Sequence, residues 1–341
     1  MSPVLITGSA GFIGNHVALA LLRQGVPVVG LDNLTPYYDV ALKEARLDRL
    51  RPFPGFTEAR IDLADRASVA ALFDSHRFAR VVHLAAQAGV RYSLDHPAAY
   101  VDSNLVGFAN ILEGCRAAAV AHLVYASTSS AYGASTAMPF SPHGGADHPL
   151  TLYAATKRAN ELMAHSYSHL FHIPVTGLRL FTVYGPWGRP DMALYKFAQA
   201  IVEGRPIEVY GEGRMRRDFT YIDDVVSAIL GLLDRVPTVD TAWDAAKPDP
   251  ASSGVAPYRL YNVGSDRPVD LMRYVRLLEE NLGMTADIRL LPIQPGDVPA
   301  TWADIDDLAR DIGYAPATPV EEGVARFVAW FRAYHAAQQP G

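Results

Sequence analysis

Short apolar runs alternate with longer segments whose apolar residues recur at helical spacing over the first half of the chain. The runs predict β-strands at residues 4–6, 27–31, 56–61, 80–84, 122–126 and 175–181, and the helical spacing predicts helices at residues 12–24, 67–75 and 98–118. Strands that are apolar almost throughout are buried on both faces, which is typical of a parallel sheet covered by helices. The pattern therefore predicts an α/β fold built on a doubly wound parallel sheet.

The pattern changes after about residue 181, where prolines and glycines divide the chain into shorter elements. Such elements favour a smaller α/β C-terminal lobe that follows the first domain. We predict a larger domain at residues 1–181, to which residues 219–264 return, and a smaller lobe made of residues 182–218 and 265–335. Residues 336–341 are predicted to fray, as chain termini commonly do.

The composition excludes several classes of protein. Half of the 341 residues are hydrophobic and 19% are charged, which supports a sizeable core. The net charge of −6 argues against non-specific nucleic-acid binding, because that requires a basic surface. The single cysteine, Cys115, excludes an internal disulfide framework and a thiolate metal cluster, and we predict no metal site. Because the chain shows no targeting segment and no apolar run of roughly 20 residues, we expect a soluble cytoplasmic protein without a membrane partner.

A glycine-rich segment, TGSAGFIG at residues 7–14, follows the first predicted strand and opens the first predicted helix. Glycines at this place allow a tight turn and the close approach of a pyrophosphate to a helix N-terminus, as in Rossmann-type dinucleotide-binding domains. Asp32 follows the second strand, where a carboxylate accepts hydrogen bonds from ribose hydroxyls and repels a 2′-phosphate, so NAD is favoured over NADP. The alternative is that the glycines only turn the chain and that Asp32 caps a helix.

The ends of the third and fourth strands supply further candidates. Asp62 follows the third strand and could accept from the adenine amino group, or it could cap the helix predicted near Ala64. His83 lies on the fourth strand and is predicted to be a packed histidine rather than a base. The predicted cofactor-binding residues are Gly8, Gly11, Phe12, Ile13, Gly14, Asp32, Asn33, Asp62, Leu63, Leu84, Ala85, Ala86, Tyr153 and Lys157.

Tyr153 and Lys157 are four residues apart and therefore share one face of a helix. A nearby ammonium group stabilises a phenolate, which lets the tyrosine act as a general base near neutral pH. This helix follows a predicted strand that ends in four hydroxyl residues, 127–130, at the edge where doubly wound sheets bind ligands. Thr128 can hydrogen-bond the same reacting oxygen there, although an ordinary turn hydroxyl is the alternative.

The combination of Thr-Gly-x-x-Gly-Phe-x-Gly with Tyr-x-x-x-Lys resembles the extended short-chain dehydrogenases/reductases, in particular their NAD-dependent nucleotide-sugar epimerase/dehydratase family. Within that family, the segments DNLTPYYD (32–39), YGPWGRPDM (184–192), MRRDFTYIDD (215–224) and QPGDVPAT (294–301) look most like the UDP-glucuronate 4-epimerases. The similarity extends from residue 4 to about residue 330.

The resemblance implies a tightly held NAD that is not consumed and the interconversion of UDP-glucuronate and UDP-galacturonate through a 4-keto sugar. Tyr153 would remove the proton of the C4 hydroxyl while the C4 hydride passes to the nicotinamide and later returns. Lys157 would lower the pKa of Tyr153 and hold the nicotinamide ribose, and Thr128 would support the C4 oxygen.

The 4-keto form of a uronate is a β-keto acid, which loses CO₂ when the carboxylate bond aligns with the carbonyl π system. We expect Ser129, Ser130 and Thr182 to hold the carboxylate away from that alignment, with Arg189 as an electrostatic partner. The alternatives are turn hydroxyls for the serines, strand-end packing for Thr182 and a surface ion pair for Arg189.

Ser129 and Ser130 also occupy the positions of the Asp-Glu pair of related 4,6-dehydratases, which argues against that activity. A UDP-glucuronate decarboxylase and a 4-epimerase of neutral UDP-sugars remain alternative enzymes. A non-catalytic NAD-binding scaffold is the alternative of a different class.

For the nucleotide half of the substrate, the resemblance implies that Arg217 binds the pyrophosphate, and Arg91 is a second candidate for this contact. It also implies that Tyr210 covers the uracil ring and that Asp297 accepts hydrogen bonds from the uridine ribose. Gln294 stands where many related epimerases have an arginine, so one phosphate contact is lost. The helices predicted at residues 98–118 and 152–170 match those that pair across a two-fold axis in this family, so a homodimer is expected.

Overall fold

A computed structural model describes residues 2–337. The strands in chain order are β1 (Val4–Thr7), β2 (Val28–Asp32), β3 (Phe56–Arg60), β4 (Arg80–His83), β5 (His122–Thr128), β6 (Val175–Leu180), β7 (Thr182–Tyr184), β8 (Ile207–Tyr210), β9 (Arg216–Tyr221), β10 (Tyr258–Val263), β11 (Pro268–Asp270) and β12 (Ile288–Leu291). The helices are α1 (Phe12–Arg23), α2 (Val40–Asp48), α3 (Arg66–Ser75), α4 (Tyr92–Asp95), α5 (Pro97–Tyr100), α6 (Gly107–Ala117), α7 (Leu152–Phe171), α8 (Ala193–Val202), α9 (Ile222–Leu233), α10 (Leu271–Leu282), α11 (Asp306–Ile312) and α12 (Val320–Ala336).

Seven strands form one sheet in the order β10-β6-β5-β4-β1-β2-β3, and every neighbouring pair is parallel. All seven carboxyl ends therefore lie at one edge. The strand order reverses between β1 and β4, and such a switch point leaves a crevice in which α/β proteins bind ligands. The predicted α/β class and Rossmann-type doubly wound sheet are confirmed.

Both faces of this sheet are buried along the central strands β1, β2, β4 and β5, which explains why these strands read as nearly continuous apolar runs, whereas the edge strand β3 is partly exposed. Along β1, Val4 and Ile6 belong to one apolar cluster, and Leu5 belongs to another on the opposite face. Successive side chains of a strand point to opposite faces. The two helical layers that the apolar runs predicted are therefore both present.

The chain leaves the large sheet at Phe181. Strand β6 ends at Leu180, one residue before the predicted end, and β7 begins at Thr182. Strands β11, β9 and β7 form a three-stranded sheet, and β12 pairs with β8. Helix α9 then packs on α1 and β5, and β10 joins the edge of the large sheet. One apolar cluster runs from Ile6 through Phe219 to Leu278. Because that core is continuous, the division into two domains stays a prediction.

The helix predicted at residues 98–118 is interrupted. Helix α5 leads into a π-helical turn at Val101–Val106, which continues into α6. The wider turn carries Asp102 and Ser103, which both line the cavity described below, and π-helical turns are frequent at functional sites. Of the tail predicted to fray at residues 336–341, only Ala336 and Ala337 are described, and α12 includes Ala336; residues 338–341 lie outside the described residues. No helix within residues 2–337 is long and apolar enough to cross a membrane.

Candidate active site

The turn between β1 and α1 has no room for side chains at two of its glycines. A Cβ on Gly14 would lie 2.1 Å from the carbonyl oxygen of Gly8, and a Cβ on Gly8 would lie 2.9 Å from the amide nitrogen of Ala85. Gly8 also has φ of 75°, which glycine adopts at little cost. Among the described residues no side chain caps α1, so its first N–H groups remain available to an anionic ligand.

Asp32 ends β2 and is held by the same turn. Its Oδ2 accepts a hydrogen bond from the backbone N–H of Ala10 at 3.1 Å, and its Oδ1 accepts from that of Leu34 at 2.9 Å. Each carboxylate oxygen keeps a second lone pair for a ligand hydroxyl. The alternative that Asp32 caps a helix is wrong, because Asp39 caps α2.

Asp62 does not cap a helix either. Its Oδ1 accepts from the backbone N–H of Ala64 at 2.8 Å, and its Oδ2 accepts from the Asn33 side chain at 3.0 Å. Helix α3 begins two residues after Ala64 and is capped by Asp65. Asp62 and Asn33 both line the cavity described below, so Asp62 remains a candidate for the adenine amino group.

A cavity of about 660 Å³ lies at the carboxyl ends of β1, β2, β4, β5 and β6. Every predicted cofactor-binding residue lines it, and so do six of the predicted substrate-binding residues, Thr128, Ser129, Ser130, Thr182, Arg189 and Asp297. Within residues 2–337 no group of three His, Cys, Asp or Glu side chains could hold a metal ion. The cavity therefore brings together the residues that the sequence spread over almost 300 positions.

Tyr153 and Lys157 lie in the first two turns of α7, which Thr151 caps by accepting from the backbone N–H of Ala154 at 3.2 Å. Burial raises the pKa of Tyr153, whereas the Arg189 guanidinium and a hydrogen bond to Thr128 lower it, and the net pKa lies above the usual value. The expected effect of Lys157 on the pKa of Tyr153 stays a prediction. The cation that opposes the effect of burial on the Tyr153 pKa is Arg189.

Lys157 is almost fully buried, with 2% of its surface exposed. Burial lowers its pKa to about 8, and the charge of Glu161, one helical turn further on, opposes this decrease. A lysine of this kind stays mostly protonated at neutral pH while its proton is held less tightly than usual.

Glu161 belongs to a buried network that sequence reasoning missed. Its carboxylate accepts from the Ser127 hydroxyl at 2.6 Å and from two nitrogens of Arg179 at 2.9 and 2.8 Å. Because Ser127 precedes Thr128 and Glu161 shares α7 with Lys157, the network fixes the end of β5 against the helix. The only signal in the sequence was an acidic residue four positions after Lys157.

His83 is a packed residue, as predicted. The Thr7 hydroxyl accepts from the backbone N–H groups of Leu84 and Ala85, at 3.1 Å each, and donates to Nδ1 of His83 at 2.9 Å. Burial lowers the pKa of His83 to about 3, so the imidazole is neutral. It therefore orders the end of β4 rather than acting as a base.

The substrate side of the cavity carries hydroxyl groups and one cation. Thr128 ends β5; its Oγ1 accepts from the backbone N–H of Ser130 at 3.2 Å, and its hydroxyl hydrogen-bonds the Tyr153 phenol. Arg189 pairs with Asp191 and still lines the cavity. Arg189 therefore forms the ion pair that was one interpretation and also faces the cavity, as the other interpretation requires.

Three residues predicted for the nucleotide half, Arg91, Tyr210 and Arg217, do not line this cavity. Arg91 forms an ion pair with Asp297 at 3.2 Å and lies over the Tyr210 ring at 4.6 Å. Arg217 donates to the backbone carbonyl of Pro299 at 3.2 Å and is close enough to Asp297 for that charge to raise its pKa, although burial lowers it overall. Asp297 lines the cavity, and Arg91, Tyr210 and Arg217 form a cluster next to it outside the cavity lining.

Gln294 lies near that cluster, and its buried side-chain oxygen has no hydrogen-bond partner among the described residues. An arginine at this place would instead add another positive charge. The departure from the family pattern therefore replaces a cation by a neutral amide, and Arg91 and Arg217 are guanidinium groups of the cluster that remain.

Tyr37, Tyr38 and Lys43 also line the cavity but were not predicted as site residues. Tyr38 is held by Arg46, a fully buried side chain whose guanidinium donates to the Tyr38 hydroxyl at 2.7 Å, and Lys43 donates to the backbone carbonyl of Thr35 at 2.7 Å. The Arg46 guanidinium also donates to the backbone carbonyls of Ala10, Trp187 and Gly188. All five of its N–H donors are therefore used. The tyrosine pair in residues 32–39 was the available signal.

Comparison with known proteins identifies the family of this chain. Residues 4–244 match the model of the NAD dependent epimerase/dehydratase family. The chain is 53% identical over 327 residues to a probable UDP-glucuronate 4-epimerase of Rhizobium meliloti, with 96% of each chain covered. It is 45% identical over 337 residues to UDP-glucuronate 4-epimerase 1 of Arabidopsis thaliana, covering 97% of this chain and 77% of that one.

Its fold is similar to that of UDP-glucuronic acid 4-epimerase from Bacillus cereus, solved in complex with UDP-glucuronic acid and NAD. The TM-score is 0.85 at 30% identity, and 97% of this chain and 99% of the other are covered. The chain belongs to the NAD dependent epimerase/dehydratase family.

Proposed function

We propose that this chain uses bound NAD to interconvert UDP-glucuronate and UDP-galacturonate through a transient 4-keto sugar. The observation that carries the proposal is the convergence of Thr128, Tyr153 and Lys157 on a cavity that also contains the glycine-rich turn. Relatives with the same printed activity, at 53% and 45% identity, support the same substrate. Ser129 and Ser130, in place of an acid pair, argue against dehydration.

The residues present fit NAD. The crowded glycine turn leaves space for a pyrophosphate at the N-terminus of α1, and the carboxylate of Asp32 disfavours a 2′-phosphate. Small residues at the end of β4, Ala85 and Ala86, leave room along the strand ends. NAD, when bound, supplies a reversible acceptor for the hydrogen at C4.

The chain itself moves the proton and holds the sugar. Tyr153 removes the proton of the C4 hydroxyl and returns it after the 4-keto sugar has rotated in the site to present its other face. Thr128, which hydrogen-bonds the Tyr153 phenol, donates its hydroxyl proton to the C4 oxygen in both half-reactions when the substrate is bound. Lys157 keeps a positive charge near the phenol and holds the nicotinamide ribose.

The uronate carboxylate is held by Ser129, Ser130 and Thr182, with Arg189 facing the same space. Hydroxyl donors keep the C5–C6 bond out of alignment with the C4 carbonyl, so the ketone is reduced before CO₂ is lost. Replacing both serines by alanine should raise the share of the pentose product. An unchanged product ratio would remove them from control of the carboxylate.

The nucleotide is bound by the cluster around Asp297. Arg217, with Arg91, binds the pyrophosphate, because guanidinium groups match paired phosphate oxygens. Asp297 accepts from the uridine ribose, and Tyr210 covers the uracil. Arg91 therefore exchanges its contact with Asp297 for a phosphate contact when the substrate binds.

The deciding experiment is to incubate the purified protein with UDP-glucuronate and to separate the products by chromatography. UDP-galacturonate supports the proposal, a UDP-pentose identifies a decarboxylase, and turnover of UDP-glucose alone identifies an epimerase of neutral sugars. A scaffold would bind NAD and convert none of them. Tyr153→Phe should reduce turnover at least ~100-fold while NAD stays bound. Near-normal turnover would contradict the role of the phenol.

We also propose that two copies associate through α7 and the helical segment of residues 97–117, which contact each other in the chain. Five apolar side chains on this surface are exposed, namely Val101, Val106, Leu162, Leu170 and Phe171. Leu162→Glu should convert a dimer into a monomer in light scattering, and a wild-type monomer would refute the association. The only cysteine is buried and unpaired, which fits the cytoplasmic location that we expect.

A further inference from the structure

Two nitrogens of the Arg189 guanidinium, Nε and Nη2, are held by the carboxylate of Asp191. The Nε donates to Oδ1 of Asp191 at 3.0 Å, and the Nη2 donates to Oδ2 of the same residue. The Tyr37 hydroxyl donates to Oδ2 at 3.0 Å. Both oxygens of Asp191 are therefore occupied, and a two-point contact of this kind fixes the plane of the guanidinium.

Asp191 stands behind Arg189 with respect to the cavity. Arg189 and Tyr37 line the cavity, whereas Asp191 does not. The two N–H donors on Nη1 of Arg189 have no partner among the described residues. The carboxylate therefore leaves one nitrogen of the guanidinium free for a ligand.

Tyr37 is itself fixed by close packing. Its ring meets that of Tyr92 edge-on at 4.8 Å. A Cβ on Gly89 would lie 2.3 Å from the Tyr37 hydroxyl, and Gly89 has φ of 100°, so the phenol occupies space that only glycine leaves open. Tyr37 precedes α2 and Asp191 precedes α8, so their bond joins the segment after Asp32 to the segment that faces the sugar.

We propose that Asp191, held by Tyr37, is a positioning residue that directs the free Nη1 of Arg189 at the uronate carboxylate. The inference rests on the proposed function and adds the group that sets the geometry of Arg189. An arginine held in this way donates its hydrogen bond in one fixed direction. An arginine side chain without such an anchor could change its orientation. The carboxylate then keeps the orientation that protects the 4-keto sugar from loss of CO₂.

Asp191→Asn should weaken this anchor without changing the shape of the side chain. A charge-assisted hydrogen bond contributes enough for about a tenfold rise in KM for UDP-glucuronate when it is lost. The pentose share of the product should rise several-fold, and Asp191→Glu should restore part of the original ratio. Tyr37→Phe should change the ratio in the same direction by a smaller factor.

Glu203→Gln is the matched control, because Glu203 and Arg205 form an ion pair at the same spacing of two residues, and neither residue lines the cavity. It should leave KM and the product ratio unchanged. Retained NAD and the thermal unfolding temperature are measured for each variant, so a general loss of structure is recognised.

The decisive comparison uses Arg189→Met. If Asp191 acts through Arg189, adding Asp191→Asn to Arg189→Met should change neither KM nor the product ratio further. An additional change, or an Asp191→Asn single variant identical to wild type, would overturn the inference alone. A wild-type protein that makes no UDP-galacturonate would instead overturn the proposed function, and the inference would fall with it.

Discussion

Replacing Glu161 by glutamine tests whether the buried network behind the active site stabilises the fold. The Glu161 and Arg179 side chains are both fully buried, at 0% exposure, and are joined by two hydrogen bonds. Glutamine keeps the shape of the side chain and removes its charge. The Arg179 guanidinium would then be buried without a counter-charge, and its Nη1 already has no hydrogen-bond partner among the described residues.

Breaking one side of a buried ion pair costs about 3–5 kcal/mol in other proteins, because the remaining charge is left unpaired. Arg158, which also pairs with Glu161 at 2.8 Å, would lose its contact as well, while the amide oxygen would still accept one hydrogen bond. We therefore expect Glu161→Gln to lower the free energy of unfolding by about 3 kcal/mol at neutral pH.

The effect should depend on pH in a defined direction. Burial raises the pKa of Glu161 and the Arg179 guanidinium lowers it, with a net decrease below the usual value. A carboxyl group with a lowered folded-state pKa stabilises the fold above its unfolded pKa and loses that contribution as the pH falls through its folded pKa. The difference between wild type and variant should therefore be constant near neutral pH and shrink in acid.

Urea unfolding followed by circular dichroism measures this difference. Glu322→Gln is the control, because Glu322 pairs with Arg326 at the surface, where both side chains are about half exposed, at 48% and 49%, and such pairs contribute about 1 kcal/mol or less. Replacing Glu161 and Arg179 together by leucine and methionine should recover most of the loss. A cost for Glu161→Gln no larger than that of the surface control would refute the reasoning.

Gly14→Ala should strongly reduce NAD retention, because the new Cβ would lie 2.1 Å from the carbonyl oxygen of Gly8. Gly55→Ala is the control and should retain NAD, because the nearest atom to its Cβ would be 3.6 Å away. Equal retention in both variants would contradict a crowded turn. Lys157 has a folded-state pKa of about 8 against about 10.4 when unfolded. The unfolded chain then binds more protons between these values, so stability should rise from pH 8 to 10, and Lys157→Met should raise the free energy of unfolding at pH 7 by up to about 3 kcal/mol. Urea unfolding at both pH values checks this, and a destabilised variant would contradict it.

Local pattern was sufficient for the sheet and for the cofactor end of the cavity. The central strands are apolar because both of their faces are buried, and Gly14 is required by a backbone contact with Gly8, six residues earlier. Helix boundaries were less secure. Asp62 was a reasonable cap by position, yet Asp65 caps α3, because an aspartate that bonds two residues ahead can form a turn without starting a helix.

The electrostatics of the active site could not be obtained in this way. Spacing alone places Tyr153 and Lys157 on one face of a helix, but the cation that lowers the pKa of the phenol is Arg189, which is 36 positions further along the chain and belongs to a different loop. The members of the cluster of Arg91, Tyr210 and Asp297 lie still further apart in sequence, with 206 positions between Arg91 and Asp297. Charge interactions act through space, so they depend on contacts that no local pattern records.

By itself, the sequence determined the α/β class, the position of the dinucleotide turn and the residue types that the chemistry needs, because these depend on burial, on backbone freedom and on short spacings. The tertiary structure alone decided which charges meet: Asp191 with Arg189 and Tyr37, Glu161 with Arg179 and Ser127. The physical reason is that strand order and loop packing bring together residues from separate segments, and hydrogen bonds form only where donors and acceptors approach within about 3 Å.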